Sequence, residues 1–343
     1  MQENKRALIL SGGGGRGAYH CGVLEYLEAI QWYPDILVGT SIGAINSAAI
    51  ASGRSAEDLK KLWRKLTTDK VQRLRDDVFN LSNWRNLLDN SPWRVSLDQD
   101  GWFDLDRINS DDGPTLAITA TDVQSGTLTV FCNHDLEPSK SNVPRSKRVR
   151  HVQITIDHIL ASCSIPIVYP WTQISDEPSA YWDGAVVSNT PLGTALRAGA
   201  TEIIVVLLSP WDEEGGVDQQ WEKAPPKLLE LPGLALDWAL LASFRSDLKL
   251  CNTVNNFVAA FELLDEGQRQ ALAAKLWSEL DETEQNERLQ KLDRLRRLDP
   301  PKIVAPKKLL PIEQIISYDP DIHERMFDQG RSDAARILRE LTV

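Results

Sequence analysis

Three short segments of the chain hold residue types that could do chemistry: Gly12-Gly13-Gly14-Gly15-Arg16-Gly17, Gly39-Thr40-Ser41-Ile42-Gly43 and Asp183-Gly184-Ala185. A serine with glycine two positions to either side, at a strand-to-helix junction, has the form of a nucleophile elbow. The sharp turn exposes the hydroxyl, and only glycine leaves room for it. A helix starting at the serine also aims its positive end at negative charge developing there. Gly39, Ala44, Ser47, Ala48 and Ala49 are small enough for the helix and sheet to approach closely. The pattern by itself is common, and its weight comes from its place directly after the apolar run Asp35–Gly39 (DILVG).

The glycine run has two readings. Acyl transfer needs backbone N–H donors aimed at a tetrahedral oxyanion, and consecutive glycines offer them without side-chain obstruction. The rival is a phosphate cradle at a helix N-terminus, since Gly12-x-Gly14-x-x-Gly17 also satisfies the dinucleotide-binding pattern. That fold calls for an acidic residue ending the second strand, where this chain has the serine turn. The hydrolase reading therefore fits better. A serine nucleophile further needs a base. Asp183 is a candidate, although Asp-Gly-Ala is an ordinary turn. The histidines His20, His134, His151, His158 and His323 lie in the first helix, in loops and edges, or in the last helix, without motif context. A histidine base stays open on these grounds.

The elements that must position these groups alternate. Arg6–Ser11 reads as a buried strand, Ala18–Ile30 as a helix, Asp35–Gly39 as a strand and Ile42–Ala51 as a small-residue helix. Ser55–Leu66 reads as a helix with Ser55 as N-cap. Strands are expected at Thr115–Thr121 and Thr127–Cys132 around a Ser125-Gly126 turn, at Ala180–Trp182 and at Glu202–Leu208. Helices are expected at Ile156–Ser162 and at Pro191–Ala198, the latter capped by Thr190. Beyond a polar stretch at Glu213–Pro226 come helical patterns at Lys227–Leu250, Gln268–Leu280 and Glu282–Leu298, a strand at Leu310–Ser317 and a closing helix at Ile322–Leu341.

Taken in order, GGGGRG, GTSIG and DGA resemble the patatin-like phospholipase family. Gly12–Gly17 is similar to its G-G-G-x-[KR]-G motif, with Arg16 in the basic position. TATDVQSGTLTVF, HILASCSIPIVYP and DGAVVSNTPLGTALRAGATEIIVV are similar to segments of bacterial members. The resemblance covers Lys5–Ser209, weakens over Val71–Ser110 and from Asp212 to about Leu309, and returns at PIEQIISYDP and the closing helix. It implies a serine paired directly with an aspartate, without histidine. Ser41 would be the nucleophile, Asp183 the general base, and the backbone N–H groups of Gly13, Gly14 and Gly15 the oxyanion hole. Arg16 would support that loop or attract a phospholipid phosphate. An acyl-enzyme on Ser41 is implied, and no metal or cofactor.

Composition narrows the class. Hydrophobic residues make up 42% and charged residues 25%, the balance of a globular protein. The net charge of −11 opposes contact with phosphate backbones, so no nucleic-acid partner is expected. It also weakens attraction to anionic membranes, so lipid must be met through apolar contacts or a local basic patch. The scattered Cys21, Cys132, Cys163 and Cys251 suggest neither zinc nor a disulfide framework, and fit a cytoplasmic protein. MQENKRALILSGGGG lacks the pattern of a signal peptide, and no apolar run reaches membrane-spanning length.

Eleven tryptophans stand out. Trp171, Tyr181 and Trp182 could line an acyl pocket, and Trp84, Trp93 and Trp102 a lid or a membrane-touching face. The alternative for each is core packing. Lys140, Arg145, Lys147, Arg148 and Arg150 form a basic loop able to meet anionic headgroups, or simply a solvated one. Ser162-Cys163-Ser164 is read as scaffold.

The expected fold is α/β: three layers, α/β/α, with a central mainly parallel sheet and the site at its carboxyl ends, plus a mostly helical C-terminal region. Residues 5–210 would form the catalytic core, with a variable insertion at about 71–110. Residues 211–343 would form the helical region, its last strand and helix packing back on the core. The expected function is hydrolysis of acyl esters of (lyso)phospholipids or related lipids, with peripheral membrane contact and an unspecified oligomeric state. The rivals are a non-catalytic lipid-binding protein on the same fold and a Rossmann-type nucleotide-binding protein.

Overall fold

Short apolar runs flanked by glycine or polar turns build the sheet. The computed structural model describes residues 4–75, 86–136, 148–175, 177–211, 231–293, 297–308, 310 and 312–342. Among them are strands β1 (Arg6–Leu10), β2 (Ile36–Thr40), β3 (Arg73–Leu74), β4 (Leu88–Asp89), β5 (Thr115–Asp122), β6 (Thr127–Cys132), β7 (Val149–His151), β8 (Thr172–Gln173), β9 (Ala180–Asp183), β10 (Glu202–Val206) and β11 (Lys302–Val304). The main sheet runs β11-β10-β1-β2-β5-β6-β7, with β9 pairing β5 and β8, while β3 and β4 form a separate ribbon. From β11 to β5 all neighbours are parallel, and β6 and β9 lie antiparallel to β5. All of β2, and Ala7–Leu10 of β1, is buried, as strands covered on both faces must be.

The helices are α1 (Ala18–Ala29), α2 (Ile42–Ala51), α3 (Ala56–Lys65), α4 (Thr68–Val71), α5 (Ser91–Gln99), α6 (Leu105–Ile108), α7 (Ile156–Ala161), α8 (Leu192–Arg197), α9 (Leu231–Glu262), α10 (Glu266–Leu276), α11 (Glu282–Asp293) and α12 (Pro320–Ile337). Within the part of the chain that holds the sheet, helices cover both strands and neighbouring helices. α2 packs on β1, β2 and β5, α8 on β1 and β2, and α12 on α1, α3 and β11. Ser55 caps α3 in a reciprocal capping box with Asp58. Leu8, Leu10, Ile42, Ile45, Ile118, Val206 and Trp63 belong to the one large core beneath them.

Contact density divides the chain into two compact units: Met1–Phe244 together with Pro301–Val343, and Arg245–Pro300. The second unit has its own small core around Phe261, Ala273 and Leu289. α11 within it is largely exposed, as its charged sequence dictates.

The C-terminal strand differs from expectation. The described residues of Leu310–Ser317 form no strand; Ile312–Ile315 is a single 3-10 turn, and the C-terminal strand that joins the sheet is β11, beside β10. Ile312, Ile315 and Ile316 recur at helical spacing, which the turn satisfies, whereas a three-residue edge strand is too short to leave a periodic signal. α8 begins at Leu192, with Pro191 at the cap position and no side-chain cap. The Thr190 hydroxyl instead lies buried without a partner. Asp319 caps α12, with Pro320 at its first position, so this helix starts two residues ahead of the expected one. No helix among the described residues is long and apolar enough to cross a membrane.

Candidate active site

Strand β2 delivers Ser41 and α2 carries the chain away. Between them Ser41 holds φ 56 and ψ −129, a region that non-glycine residues rarely occupy. Gly43 explains one end of the motif, since a Cβ there would sit 2.1 Å from the Leu10 carbonyl oxygen of the neighbouring strand. Any side chain at 43 would push α2 off the sheet.

Asp183 arrives from the other side. It ends β9, opposite Ala120 of β5. Its N–H donates to the Ser164 carbonyl at 2.9 Å, and its own carbonyl accepts from the Thr121 hydroxyl at 2.9 Å. With the main chain fixed at both ends, the side chain meets Ser41: Ser41 Oγ donates to Asp183 Oδ2 at 2.5 Å. The other carboxylate oxygen accepts the Ala185 N–H at 2.8 Å. Both residues are buried. Burial pushes the Asp183 carboxyl up to about 7, against the opposing pull of the hydrogen bonds from Ser41 and Ala185. A carboxyl poised near neutrality has the basicity that proton abstraction at physiological pH calls for.

The histidines are engaged elsewhere. His20 bonds Asn46, His134 bonds Ser110, His151 bonds the Asn133 carbonyl, His158 bonds Thr155 and His323 bonds the Trp63 carbonyl. His158 lies on α7. Burial lowers His20 to about 3, so it stays neutral. The Ser41 hydroxyl meets a carboxylate and no imidazole.

The glycine segment lies against the serine. A Cβ on Gly12 would stand 2.8 Å from the Ser41 Cβ, and the Gly12 N–H donates to Asn189 Oδ1 at 2.7 Å. Gly13, with φ 155 and ψ 20, precedes a 3-10 turn that Gly14–Gly17 form on the way into α1. Gly14 has φ +61, and a Cβ on it would fall 1.8 Å from the Ile315 carbonyl oxygen, while one on Gly15 would fall 2.2 Å from that of Ser317. The C-terminal segment thus forms a wall against the glycine turn. That wall is anchored where Gln72 Nε2 donates to the Ile316 carbonyl at 2.6 Å and the Tyr318 N–H donates to Thr68 Oγ1 at 2.9 Å. The Tyr318 ring stacks on Trp63 with centroids 6.3 Å apart.

Arg16 is fully buried, so its guanidinium is not open to a lipid phosphate at the protein surface. Trp93 and Trp102 are core residues packed on Tyr318 and Trp63, not part of a membrane-touching face. Tyr181 is buried, its hydroxyl donating to Glu177, so it lines no pocket. Trp171 is 42% exposed and its ring pairs with Trp182 next to the dyad. Trp84, Lys140, Arg145 and Lys147 lie outside the described residues. Arg150 pairs with Glu177 at 2.6 Å. Apolar side chains face solvent in the segments that follow the Ser162–Ser164 turn and Asp183: Ile167 (72% exposed, φ 71), Val186 and Val187. A cleft of about 1090 Å³ opens at the opposite end of the sheet, around Lys5, Asp35 and Thr115, away from Ser41.

Two polar residues joined to this site escaped the sequence reading. Asn189 holds the glycine segment, and Ser162, read as scaffold, accepts the Ser41 N–H at 2.8 Å. Nothing local in the sequence marks Asn189. Ser162 lay in a segment already noticed, but its partner is 121 positions away.

Comparison with known proteins adds an independent line. A model of the patatin-like phospholipase family matches residues 8–196, more than half of the chain. The chain is 27% identical over 225 residues to the uncharacterized protein YqhO of Bacillus subtilis, covering 60% of this chain and 72% of that one. It is 36% identical over 86 residues to patatin-like phospholipase domain-containing protein 6 of Mus musculus, covering 24% of this chain and 6% of that much longer one. Among solved structures, VipD from Legionella pneumophila aligns over 98% of this chain and 67% of its own, at 13% identity and a TM-score of 0.43.

Proposed function

Since the chain belongs to the patatin-like phospholipase family, we propose that it is a lipid acyl hydrolase working through Ser41 and Asp183. The observation that carries this reading is the 2.5 Å hydrogen bond from Ser41 Oγ to a buried Asp183 carboxylate with no histidine at the serine. As Ser41 Oγ attacks the ester carbonyl carbon, its proton passes to Asp183 Oδ2. The carbonyl oxygen becomes an oxyanion, and the N–H groups of Gly13, Gly14 and Gly15, with the start of α2, supply positive potential there. When the tetrahedral intermediate collapses, the alcohol leaves with the proton from Asp183 and the acyl group stays on Ser41. Water then gives its proton to Asp183 and attacks the acyl carbon, releasing the fatty acid and restoring the serine.

Long-chain acyl esters of phospholipids or lysophospholipids are the proposed substrates. Ile167, Trp171, Val186 and Val187, in the segments that lead from the Ser162–Ser164 turn and from Asp183, present apolar surface to solvent. On a protein of net charge −11, such surface is a better means of meeting a lipid interface than electrostatic attraction. The test is labelling of the purified protein by a fluorophosphonate probe, with a lipid panel alongside. Labelling lost in Ser41→Ala and in Asp183→Asn, with fatty acid release lost in parallel, is the expected result. Fatty acid release that persists in Ser41→Ala would refute the assignment. Lipid binding without labelling or turnover would favour a non-catalytic lipid-binding protein.

A further inference from the structure

Ser41 is the residue just ahead of α2, so its own N–H has no acceptor within that helix. It also holds a left-handed backbone that a non-glycine residue keeps only where its surroundings impose it. The imposing contact comes from the turn after α7. Ser162 is fully buried, and its Oγ accepts the Ser41 N–H at 2.8 Å. Two residues on, the Ser164 carbonyl accepts the Asp183 N–H at 2.9 Å. One three-residue turn therefore sets the place of both partners, the serine through a side chain and the aspartate through the main chain. Any residue at 164 could supply its carbonyl. At 162, only a side chain with an acceptor oxygen at the β-carbon can reach the elbow. The contact between Ser41 Oγ and Asp183 Oδ2 depends on how far the elbow is rotated, and the Ser162 contact acts on that rotation.

We infer that Ser162 is a positioning residue for the nucleophile: by accepting the Ser41 N–H it holds the elbow in the backbone conformation that presents Oγ to Asp183. The inference rests on the reading of Ser41 as nucleophile. A role confined to filling a buried site would affect stability but not the reactivity of each folded molecule.

The experiment measures fluorophosphonate labelling of the full chain at a series of probe concentrations for the parent, Ser162→Ala and Ser162→Thr, with thermal unfolding of each. Ser162→Ala is expected to lose about 10- to 100-fold in the saturated labelling rate per folded molecule, the scale of a small misplacement of a reacting group. Its half-saturating probe concentration should stay at the parent value. Ser162→Thr keeps the oxygen and should regain most of the rate. A folded Ser162→Ala that labels at the parent's saturated rate overturns the inference, and so does an equal loss in both variants at equal stability, which traces to packing. A parent that does not label defeats the reading of Ser41 itself, and this inference with it, before the variants are compared.

Discussion

The Gly12 N–H and the Asn189 side chain are joined at 2.7 Å across 177 residues of sequence, so the glycine segment is fastened to the stretch that follows the aspartate. A buried amide that loses such a partner costs about 1–3 kcal/mol, and here the segment it belongs to borders Ser41, the proposed nucleophile. Asn189→Ala should lower stability by that amount and fatty acid release by about 10- to 100-fold. Turnover per folded molecule matching the parent's would show that the fastening does not matter to catalysis.

Asp183 gives a pH signature in two observables. Its carboxyl is raised from the ordinary 3.8 to about 7 in the folded chain, so the folded state holds the proton more tightly than the unfolded one. Its contribution to stability is full below about pH 4 and is lost as pH rises through about 7, at up to about 1.4 kcal/mol for each pH unit. In its proposed role as base Asp183 must be ionised, so kcat/KM should fall about tenfold per unit below pH 7. Asp183→Asn, inactive, should unfold at a higher temperature than the parent at pH 8 and lose this part of the pH dependence. Melting curves from pH 4 to 8 check the first effect and initial rates the second.

Gly14→Ala should be far more damaging than its size suggests. The new Cβ would overlap the Ile315 carbonyl at a residue with φ +61, so both the wall and the backbone oppose it. A loss of about 2–3 kcal/mol together with nearly all labelling is expected. Gly193→Ala in α8, where nothing lies within 4 Å, is the matched control. It should stabilise the chain by about 0.5–1 kcal/mol with labelling intact.

Ile167→Ser with Trp171→Ser should separate interfacial from soluble substrates. Release of fatty acid from phosphatidylcholine vesicles and vesicle binding by sedimentation should both drop several-fold. Hydrolysis of a short-chain, water-soluble ester should stay near the parent rate. Equal losses on both substrates would assign these side chains to the acyl site and not to docking.

The parts legible in the sequence were those with local causes. β1, β2, α2 and β6 follow from short apolar runs, small-residue spacing and turn chemistry within a few residues, and their ends lie where those signals change. Ser41 stands out in the sequence as the centre of a strand-to-helix turn motif, whereas Asp183 sits in an ordinary turn and is singled out only by the family resemblance; the fold brings the two side chains together. What stayed hidden depends on partners far along the chain. Ser162 and Asn189 are ordinary polar residues until folding brings Ser41 and Gly12 to them. The same holds for Trp93 and Trp102, whose burial depends on Tyr318 and Trp63. β11 is recognisable only through its pairing with β10, and Arg16 only through the residues that cover it.

The wall that Ile315 and Ser317 raise against Gly14 and Gly15 bears on how the protein is made. On the ribosome, residues 12–17 emerge long before residues 314–317 exist, so the turn must wait for the neighbours that shape it. Contacts this distant form late and slowly. A nascent chain would therefore carry the serine and the aspartate without the finished glycine turn proposed to hold the oxyanion, and a chain cut short before Gln314 would never acquire it. The proposed lipid-cleaving activity would then be withheld from such fragments and would appear only once residues 314–317 have folded back on the glycine turn.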